Sequence, residues 1–100
     1  MRPIHLAELD KTRPVLVLTR EIVRPMMNQI TVAPITTTTR GISTEVLLGP
    51  DNGLDHDCVV NCDNILTVPK TVLGPQIGFL LASQESLLSQ AINLAFDLDF

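Results

Sequence analysis

The chain has 100 residues, of which 45% are hydrophobic and only 3% aromatic, and its formal net charge is −4 at pH 7. This length predicts one domain, residues 1–100, with an aliphatic core because the sequence contains neither Trp nor Tyr. No apolar run approaches the ~20 residues that span a bilayer, and the N-terminus does not resemble a signal peptide. We therefore expect a soluble, cytoplasmic protein.

Charge is divided unevenly along the chain. Residues 1–44 carry six cations and three acids, whereas residues 45–100 carry one cation and eight acids. A basic first half can form a local positive face on an acidic protein. The distribution therefore permits an anionic ligand without requiring one.

Alternating apolar residues and turn formers predict a series of short strands. These strands are predicted at residues 4–8, 13–19, 30–36, 44–48 and 58–62, the last extended toward residue 68. Pro14 lies near the start of its strand, where a missing N–H is tolerated. A tight connection is expected at residues 9–12, and loops at 20–28 and 37–43. Residues 49–53, Gly-Pro-Asp-Asn-Gly, form the strongest turn signal.

A single helix is predicted near the C-terminus. Ser83 is its predicted N-cap, and Glu85 in the first turn complements the helix dipole. The apolar residues that recur at helical spacing are Leu87, Leu88, Ala91, Ile92 and Ala95. Many short strands followed by one terminal helix indicate a mainly β (α+β) fold, a small barrel against which the helix packs.

Residues 32–41 combine an apolar strand with a polar loop. Val32 and Ile35 favour a core, whereas the four threonines 36–39 and Arg40 offer hydroxyls and a guanidinium. This combination suits an anion such as phosphate when a second cation lies nearby.

The two cysteines and a short acidic segment offer side chains for other chemistry. Cys58 and Cys62 are four residues apart on a predicted strand, so their Cα atoms should lie about 13 Å apart. A disulfide needs roughly 7 Å or less, which favours buried, reduced thiols. Asp55-His56-Asp57 offers possible ligands, but neighbours on one loop make a poor metal site. We expect no metal and no cofactor.

Five segments carry a family resemblance in their order and spacing. They are Arg13-Pro14-Val15-Leu16-Val17-Leu18, Thr31-Val32-Ala33-Pro34-Ile35-Thr36, Thr44-Glu45-Val46, Gly53-Leu54, and Cys58-Val59-Val60-Asn61-Cys62-Asp63-Asn64-Ile65 followed by Thr67-Val68. With these segments the chain resembles the MazF/PemK toxins, sequence-selective endoribonucleases of type II toxin–antitoxin systems. The resemblance implies an SH3-like barrel of the MazF/CcdB type, a homodimer, and metal-independent cleavage of single-stranded RNA.

The resemblance also implies roles for individual residues. Arg13 matches the family's catalytic arginine, which would stabilise charge on the phosphorane and the leaving group. Thr36 matches a threonine at the end of the following strand, whose hydroxyl would orient the phosphate. The alternatives are a surface arginine beside a strand and a threonine that bonds its own backbone. The residues expected to contact RNA are Arg20, Arg24, Thr37, Thr38 and Arg40. Without Trp or Tyr, base stacking would fall to Arg20, Arg24, Arg40, His5 and His56.

The proton-transfer group is less well defined. Relatives usually carry a long loop between their first two strands, which supplies a glutamate in some of them. Here that loop is reduced to about residues 10–12, so His5 is a catalytic candidate because imidazole titrates near neutrality. A packing role is the alternative for His5, and Glu8 and Asp10 are further candidates. A short loop leaves the groove open, which would suit a structured RNA such as tRNA.

Two other interpretations remain open. A CcdB-like toxin would poison gyrase without nuclease activity, although the end Asp97-Leu98-Asp99-Phe100 lacks the tryptophan typical of that group. A catalytically inactive family member would serve only as a binding partner. The expected protein partner of the toxin is a cognate antitoxin. Its disordered, acidic and apolar tail would bind near Arg13, Arg20 and Arg40 and imitate the RNA backbone.

Overall fold

The computed structural model describes residues 1–98, so Asp99 and Phe100 lie outside the described residues. Its strands form one antiparallel sheet: β1 (Pro3–Glu8), β2 (Thr12–Val17), β3 (Gln29–Thr36), β4 (Glu45–Leu48), β5 (Cys58–Asn61), β6 (Leu66–Pro69) and β7 (Leu73–Phe79). One α-helix follows, α1 (Glu85–Ala95). Short 3-10 helices lie at Glu21–Met26, Pro50–Asn52, Cys62–Asn64, Lys70–Val72 and Ala82–Gln84. The predicted mainly β fold with a C-terminal helix is confirmed.

Strand β3 organises the sheet because it has three neighbours. The strand order is β4-β5-β3-β2-β1-β7, and β6 pairs with β3 outside this path. On one side, the first half of β3 pairs with β6 from Gln29 to Val32, and its end pairs with β5 at Ile35 and Thr36. Its other neighbour is β2. Because β3 pairs first with β6 and then with β5 along the same edge, the sheet curls around a core.

The period-2 pattern of the strands separates two apolar clusters. On β2, Leu16 packs in one cluster, whereas Val15 and Val17 pack in the other. The first cluster also receives Leu88 and Ala91 from α1. The side chains that are buried are aliphatic or cysteine, apart from Asn52, among residues 1–98. The predicted aliphatic core is therefore confirmed.

Two predicted elements differ from the structure, and one strand was not predicted. The strand from residue 58 ends at Asn61, because the Asn61 side chain accepts a hydrogen bond from the Asp63 N–H (3.0 Å) and begins a 3-10 turn. Residues 66–69 then form the separate strand β6 instead of a continuation. Part of the loop predicted at 20–28 is the 3-10 helix Glu21–Met26. Strand β7 was not predicted at all.

The helix is confirmed, but two of its details were wrong. Ser83 is not the N-cap of α1, because it lies within the preceding 3-10 helix. In this segment the backbone N–H of Leu81 donates to Gln84 Oε1 (2.9 Å). Leu87 is 50% exposed, since the helix buries one stripe and Leu87 lies beside it. That stripe consists of Leu88, Ala91, Ile92 and Ala95. Within residues 1–98, no helix is long and apolar enough to cross a membrane.

Asn52 fixes the turn between β4 and β5 to the rest of the molecule. Its Oδ1 accepts the Gly49 N–H at 3.1 Å. Its Nδ2 donates to the Phe79 carbonyl at 3.1 Å and to Gln84 Oε1 at 2.7 Å. A buried side-chain amide is stable in a core only when it is bonded in this way. Asn52 therefore ties the turn to the end of β7 and to the entry of α1.

Both cysteines are free and buried, which confirms the prediction of reduced thiols. Burial raises the pKa of the Cys62 thiol to about 11, and burial raises that of Cys58 as well. Between pH 9 and pH 11 the Cys62 thiol of the unfolded chain releases its proton, while the folded chain keeps it. The free energy of unfolding should therefore fall with rising pH in this window, by about 2–3 kcal/mol for Cys62.

Urea denaturation at pH 8 and pH 11 would measure this loss. Cys62→Ala should show a smaller difference between the two pH values than the wild type, because it removes one of the two titrating thiols. An equal pH dependence in both proteins would contradict the assignment to Cys62.

Candidate active site

Arg13 and Thr36 are brought together by the pairing of β2 with β3. Val15 is opposite Pro34 in this antiparallel pair, and the same register continued by two residues sets Arg13 opposite Thr36. The pairing thus joins the arginine that follows the β1–β2 connection to the threonine that ends β3. Arg13 and Thr36 are distant in sequence but lie close together because their strands are neighbours in the sheet.

Two cavities open on either side of this pair. The Leu54 cavity has a volume of about 420 Å³, and its polar and charged lining residues include Lys11, Thr12, Arg13, Thr36, Thr37, Asp55 and His56. The Asn61 cavity has a volume of about 600 Å³, and its polar and charged lining residues are Asp10, Arg13, Thr36, Thr38, Arg40, Asn61 and Asn64. Arg13, Ile35 and Thr36 line both. We call the two cavities together the groove.

The guanidinium of Arg13 is held by an ion pair with Asp10. Its Nε donates to Asp10 Oδ1 at 2.9 Å, and its Nη2 donates to Asp10 Oδ2 at 3.0 Å. The Arg13 hydrogen bonds hold the pKa of the Asp10 carboxyl well below its usual range, and the same contact raises the pKa of Arg13. Arg13 is therefore a fixed positive charge at all physiological pH values, suited to binding an anion but not to accepting a proton.

The hydroxyl of Thr36 is a hydrogen-bond donor at the same place. Its Oγ1 accepts the backbone N–H of Thr38 at 3.2 Å, as in the alternative of a threonine bonding its own backbone. That contact uses a lone pair and leaves the hydroxyl proton for another acceptor. The local hydrogen bond thus orients the hydroxyl without consuming its capacity to donate.

The wall of the Asn61 cavity is also organised by side-chain hydrogen bonds. Glu45 accepts the backbone N–H groups of Arg40 (3.2 Å) and Gly41 (3.0 Å) and so holds the loop that carries Arg40. Because Asn61 Oδ1 is bonded to the Asp63 N–H, the side-chain amide of Asn61 presents its Nδ2 donor on the other side. This wall offers fixed donors to a polar ligand.

The structure brings some of the predicted site residues to the groove and not others. Thr37, Thr38 and Arg40 line it together with Arg13 and Thr36. His5 does not line the groove, because side chains alternate along β1 and the neighbouring Leu6 faces the groove. The His5 Nδ1 is instead hydrogen-bonded to the Gly74 carbonyl (2.9 Å).

Arg20 and Arg24 do not line the groove either. They lie at a separate cavity of about 450 Å³. Arg24 is bonded there to the carbonyls of Thr19 (2.8 Å) and Met1 (3.2 Å). The 3-10 helix at Glu21–Met26, which was predicted as a loop, carries them away from the β2–β3 junction.

Several groove residues were not recognised in the sequence as parts of this site. Asn61 and Asn64 come from the turn after β5, and Lys11 from the β1–β2 connection. The sequence indicates His56 only for base stacking or a metal, although the neighbouring Gly53-Leu54 segment matches the family. Among residues 1–98, no group of three or more His, Cys, Asp or Glu side chains is placed to hold a metal ion.

Comparisons with known proteins agree with the resemblance. The family model described as "PemK-like, MazF-like toxin of type II toxin-antitoxin system" matches residues 3–96. The Mycobacterium tuberculosis protein named "Endoribonuclease MazF3" is 62% identical over 100 residues, covering 100% of this chain and 97% of that protein.

Two solved structures support the same assignment. "Mycobacterium tuberculosis toxin MazF-mt6" superposes with a TM-score of 0.97 at 62% identity and covers 99% of this chain and 100% of that one. A mycobacterial endoribonuclease in complex with its cognate antitoxin has a TM-score of 0.87 at 26% identity, covering 98% of this chain and 94% of that one. These matches do not favour the CcdB-like interpretation. The chain belongs to the PemK-like, MazF-like toxins of type II toxin–antitoxin systems.

Proposed function

We propose that this toxin is a metal-independent endoribonuclease that cleaves single-stranded RNA in the groove. The ribose 2′-oxygen attacks the adjacent phosphorus as the bond from phosphorus to the 5′-oxygen breaks. The products are a 2′,3′-cyclic phosphate and a 5′-hydroxyl. The observation that carries this proposal is the position of Arg13 and Thr36, which line both cavities and stand where a nucleotide chain would pass from one to the other.

Arg13 and Thr36 supply what the reaction needs electrostatically. Negative charge accumulates on the non-bridging oxygens and on the departing 5′-oxygen, and a fixed guanidinium stabilises both. The Thr36 hydroxyl donates to a non-bridging oxygen and holds the phosphorus in line with the 2′-oxygen. Thr37, Thr38 and Arg40 bind the flanking backbone, with Arg40 acting in the Asn61 cavity.

The reaction also moves two protons, one from the 2′-hydroxyl and one to the 5′-oxygen. His56 lines the Leu54 cavity and carries an imidazole, the side chain that most readily exchanges a proton near neutral pH. His5 was the sequence-based candidate but is bonded to a backbone carbonyl away from the groove. We therefore place His56 ahead of His5 as the group for proton transfer.

An antitoxin would silence the toxin by occupying the groove, and the active toxin would be a homodimer. The mycobacterial structure with a cognate antitoxin supports this type of partner. Arg13 and Arg40 both line the Asn61 cavity, so an acidic, apolar segment could pair with them in place of RNA phosphates. Arg20 lies at a different cavity and is not part of this proposed contact.

The test is cleavage of single-stranded RNA by the purified protein in EDTA, with the ends mapped. We expect 2′,3′-cyclic phosphate and 5′-hydroxyl ends, and cleavage by Arg13→Ala that is slower by about 10²-fold or more. No cleavage by the folded wild-type protein would identify a catalytically inactive family member. Gyrase-dependent DNA breaks without RNA cleavage would instead indicate a gyrase poison. Parallel reactions with tRNA test whether the short β1–β2 connection admits structured RNA.

Replacement of the Thr36 hydroxyl should slow cleavage without preventing folding. Thr36→Val removes a hydrogen bond to a charged phosphate, which is worth about 1.5–3 kcal/mol, so the rate should fall roughly ten- to 100-fold. Thr36→Ser keeps the hydroxyl and should retain most of the activity. Single-turnover cleavage rates of the two variants provide the measurement, and equal rates would show that the hydroxyl has no role in the reaction.

A further inference from the structure

The side-chain amide of Asn61 is held in one orientation at the wall of the Asn61 cavity. Asn61 is the N-cap of the 3-10 helix Cys62–Asn64, and its Oδ1 accepts the Asp63 N–H at 3.0 Å. Only the oxygen of an amide can accept an N–H, so this bond also decides where Nδ2 lies. Among residues 1–98, Nδ2 has no hydrogen-bond partner. The free side of this amide is therefore a hydrogen-bond donor.

Asn64 lines the same cavity but has no fixed orientation. It is exposed, and its side chain makes no hydrogen bond within the described part of the chain. Its amide can rotate to present either the oxygen or the nitrogen, so it accepts donors and acceptors alike. Of the two amides in this cavity, only that of Asn61 can favour one kind of partner.

The sheet places Asn61 next to the pair that is proposed to bind the scissile phosphate. In the pairing of β3 with β5, Thr36 is opposite Val59, so Asn61 is its diagonal neighbour, at about 7–8 Å. Val59 and Asn61 are two residues apart on β5 and lie on the same face. A base is separated from its phosphate by the sugar. With the phosphate at Arg13 and Thr36, a neighbouring base therefore reaches Asn61.

We propose that Asn61 is a specificity-determining residue, whose Nδ2 donates to a carbonyl oxygen of an RNA base beside the scissile phosphate. Uracil, cytosine and guanine each have a carbonyl oxygen, whereas the exocyclic group of adenine is an amino group, itself a donor. The bases of single-stranded RNA are unpaired, so their edges are open to such contacts. This inference rests on the proposed endoribonuclease function and names the class of base that the cavity accepts.

A contact between Nδ2 and a phosphate oxygen would have a different effect from a contact with a base. Phosphate contacts carry no sequence information, so their loss slows the cleavage of every RNA alike. Loss of a base contact changes the preference among bases at one position. The ratio of kcat/KM between two RNAs measures that preference, because a uniform change in charge or binding cancels in the ratio.

The experiment compares wild type, Asn61→Ser and Asn61→Asp on single-stranded RNAs that differ in one base beside the mapped cleavage site. Serine and aspartate both cap a helix, so the turn at Cys62–Asn64 is kept. At one position, the wild type should cleave the RNA with uracil roughly tenfold better than the RNA with adenine. Asn61→Ser should lose most of this preference. Asn61→Asp should reverse it, because a carboxylate accepts from the adenine amino group.

Asn28→Ser is the matched control. Asn28 is exposed and lies at a cavity outside the groove, so this variant should keep the wild-type ratio. Thermal unfolding of each variant checks that the fold is intact.

Each outcome decides whether Asn61 reads a base. An equal loss of activity on all RNAs in Asn61→Ser would assign Nδ2 to the RNA backbone and overturn the inference. If the wild type cleaves RNA and both Asn61 variants keep its base preferences, the inference fails and the proposed function stands. If the wild-type protein does not cleave RNA, both fail.

Discussion

Alanine at position 13 should lower the rate of RNA cleavage by about 10²–10³-fold, the usual cost of removing one preorganised charge-stabilising donor. The structure gives the reason: Arg13 lines both cavities, and Asp10 fixes it by two hydrogen bonds of 2.9 and 3.0 Å. The alanine variant also leaves the Asp10 carboxylate without its partner in the groove, which adds repulsion of RNA to the lost stabilisation. Single-turnover cleavage of a labelled RNA measures the combined effect.

Lysine at position 13 separates charge from geometry. Arg13→Lys keeps the positive charge but replaces the planar fork with a single ammonium group, which cannot bond Asp10 and a phosphate in the same way. We expect an activity between those of the wild type and Arg13→Ala. Lys70→Ala removes one positive charge outside the groove and is the matched control. If Lys70→Ala reduced cleavage as much as Arg13→Ala, the effect would come from net charge and not from the site.

The proximity of Arg13 and Thr36 was implied by the family resemblance, and the pairing of their strands agrees with it. Arg13 lies near the start of β2 and Thr36 ends β3, so the antiparallel pairing of these strands brings the two residues together. Whether His5 faces the groove depends on which side of β1 is turned toward it. Alternation places Leu6, and not His5, on the groove side of β1, and the orientation of a strand can be read only when its partners are known.

Strand β7 was not predicted because it is formed by pairing with β1, and its sequence lacks the hydrophobic alternation of a strand. Leu73–Phe79 contains two glycines and a proline, residues that are depleted in strands. It pairs with β1 through irregular register, and its glycines lie where other backbone segments come close. The turn before β6 likewise begins at a single side chain, Asn61, whose cap ends β5. Neither signal is periodic, so neither can be seen as a pattern in the sequence.

The same close approach at β7 gives the largest expected effect on stability. A Cβ added at Gly78 would lie 1.7 Å from the Asn52 carbonyl oxygen, which is a backbone atom that cannot move aside as a side chain can. Gly78→Ala should therefore destabilise the protein by about 3 kcal/mol or more, since this exceeds ordinary overpacking. For a chain of this size, such a loss lowers Tm by roughly 12–24 °C.

Gly74→Ala is the matched control on the same strand. The nearest atom to its added Cβ is the Leu6 carbonyl oxygen at 3.2 Å, a contact that a shift of a few tenths of an ångström relieves. Its Tm should stay much closer to that of the wild type, as measured by calorimetry on the three proteins. Similar Tm values for the two variants would mean that the approach of the turn to β7 is not tight.

A loss of stability at Gly78 should also reach the active site, because the turn that approaches this strand continues into the groove wall. Asn52 binds the turn to the Phe79 carbonyl, and the next residues, Gly53 and Leu54, line the Leu54 cavity. If Gly78→Ala still folds below its reduced Tm, its cleavage rate there should fall while RNA binding in the Asn61 cavity persists. Gly74→Ala should change neither, because Gly74 contacts β1 and not this turn. The groove is therefore expected to depend on a backbone contact that carries no reactive group.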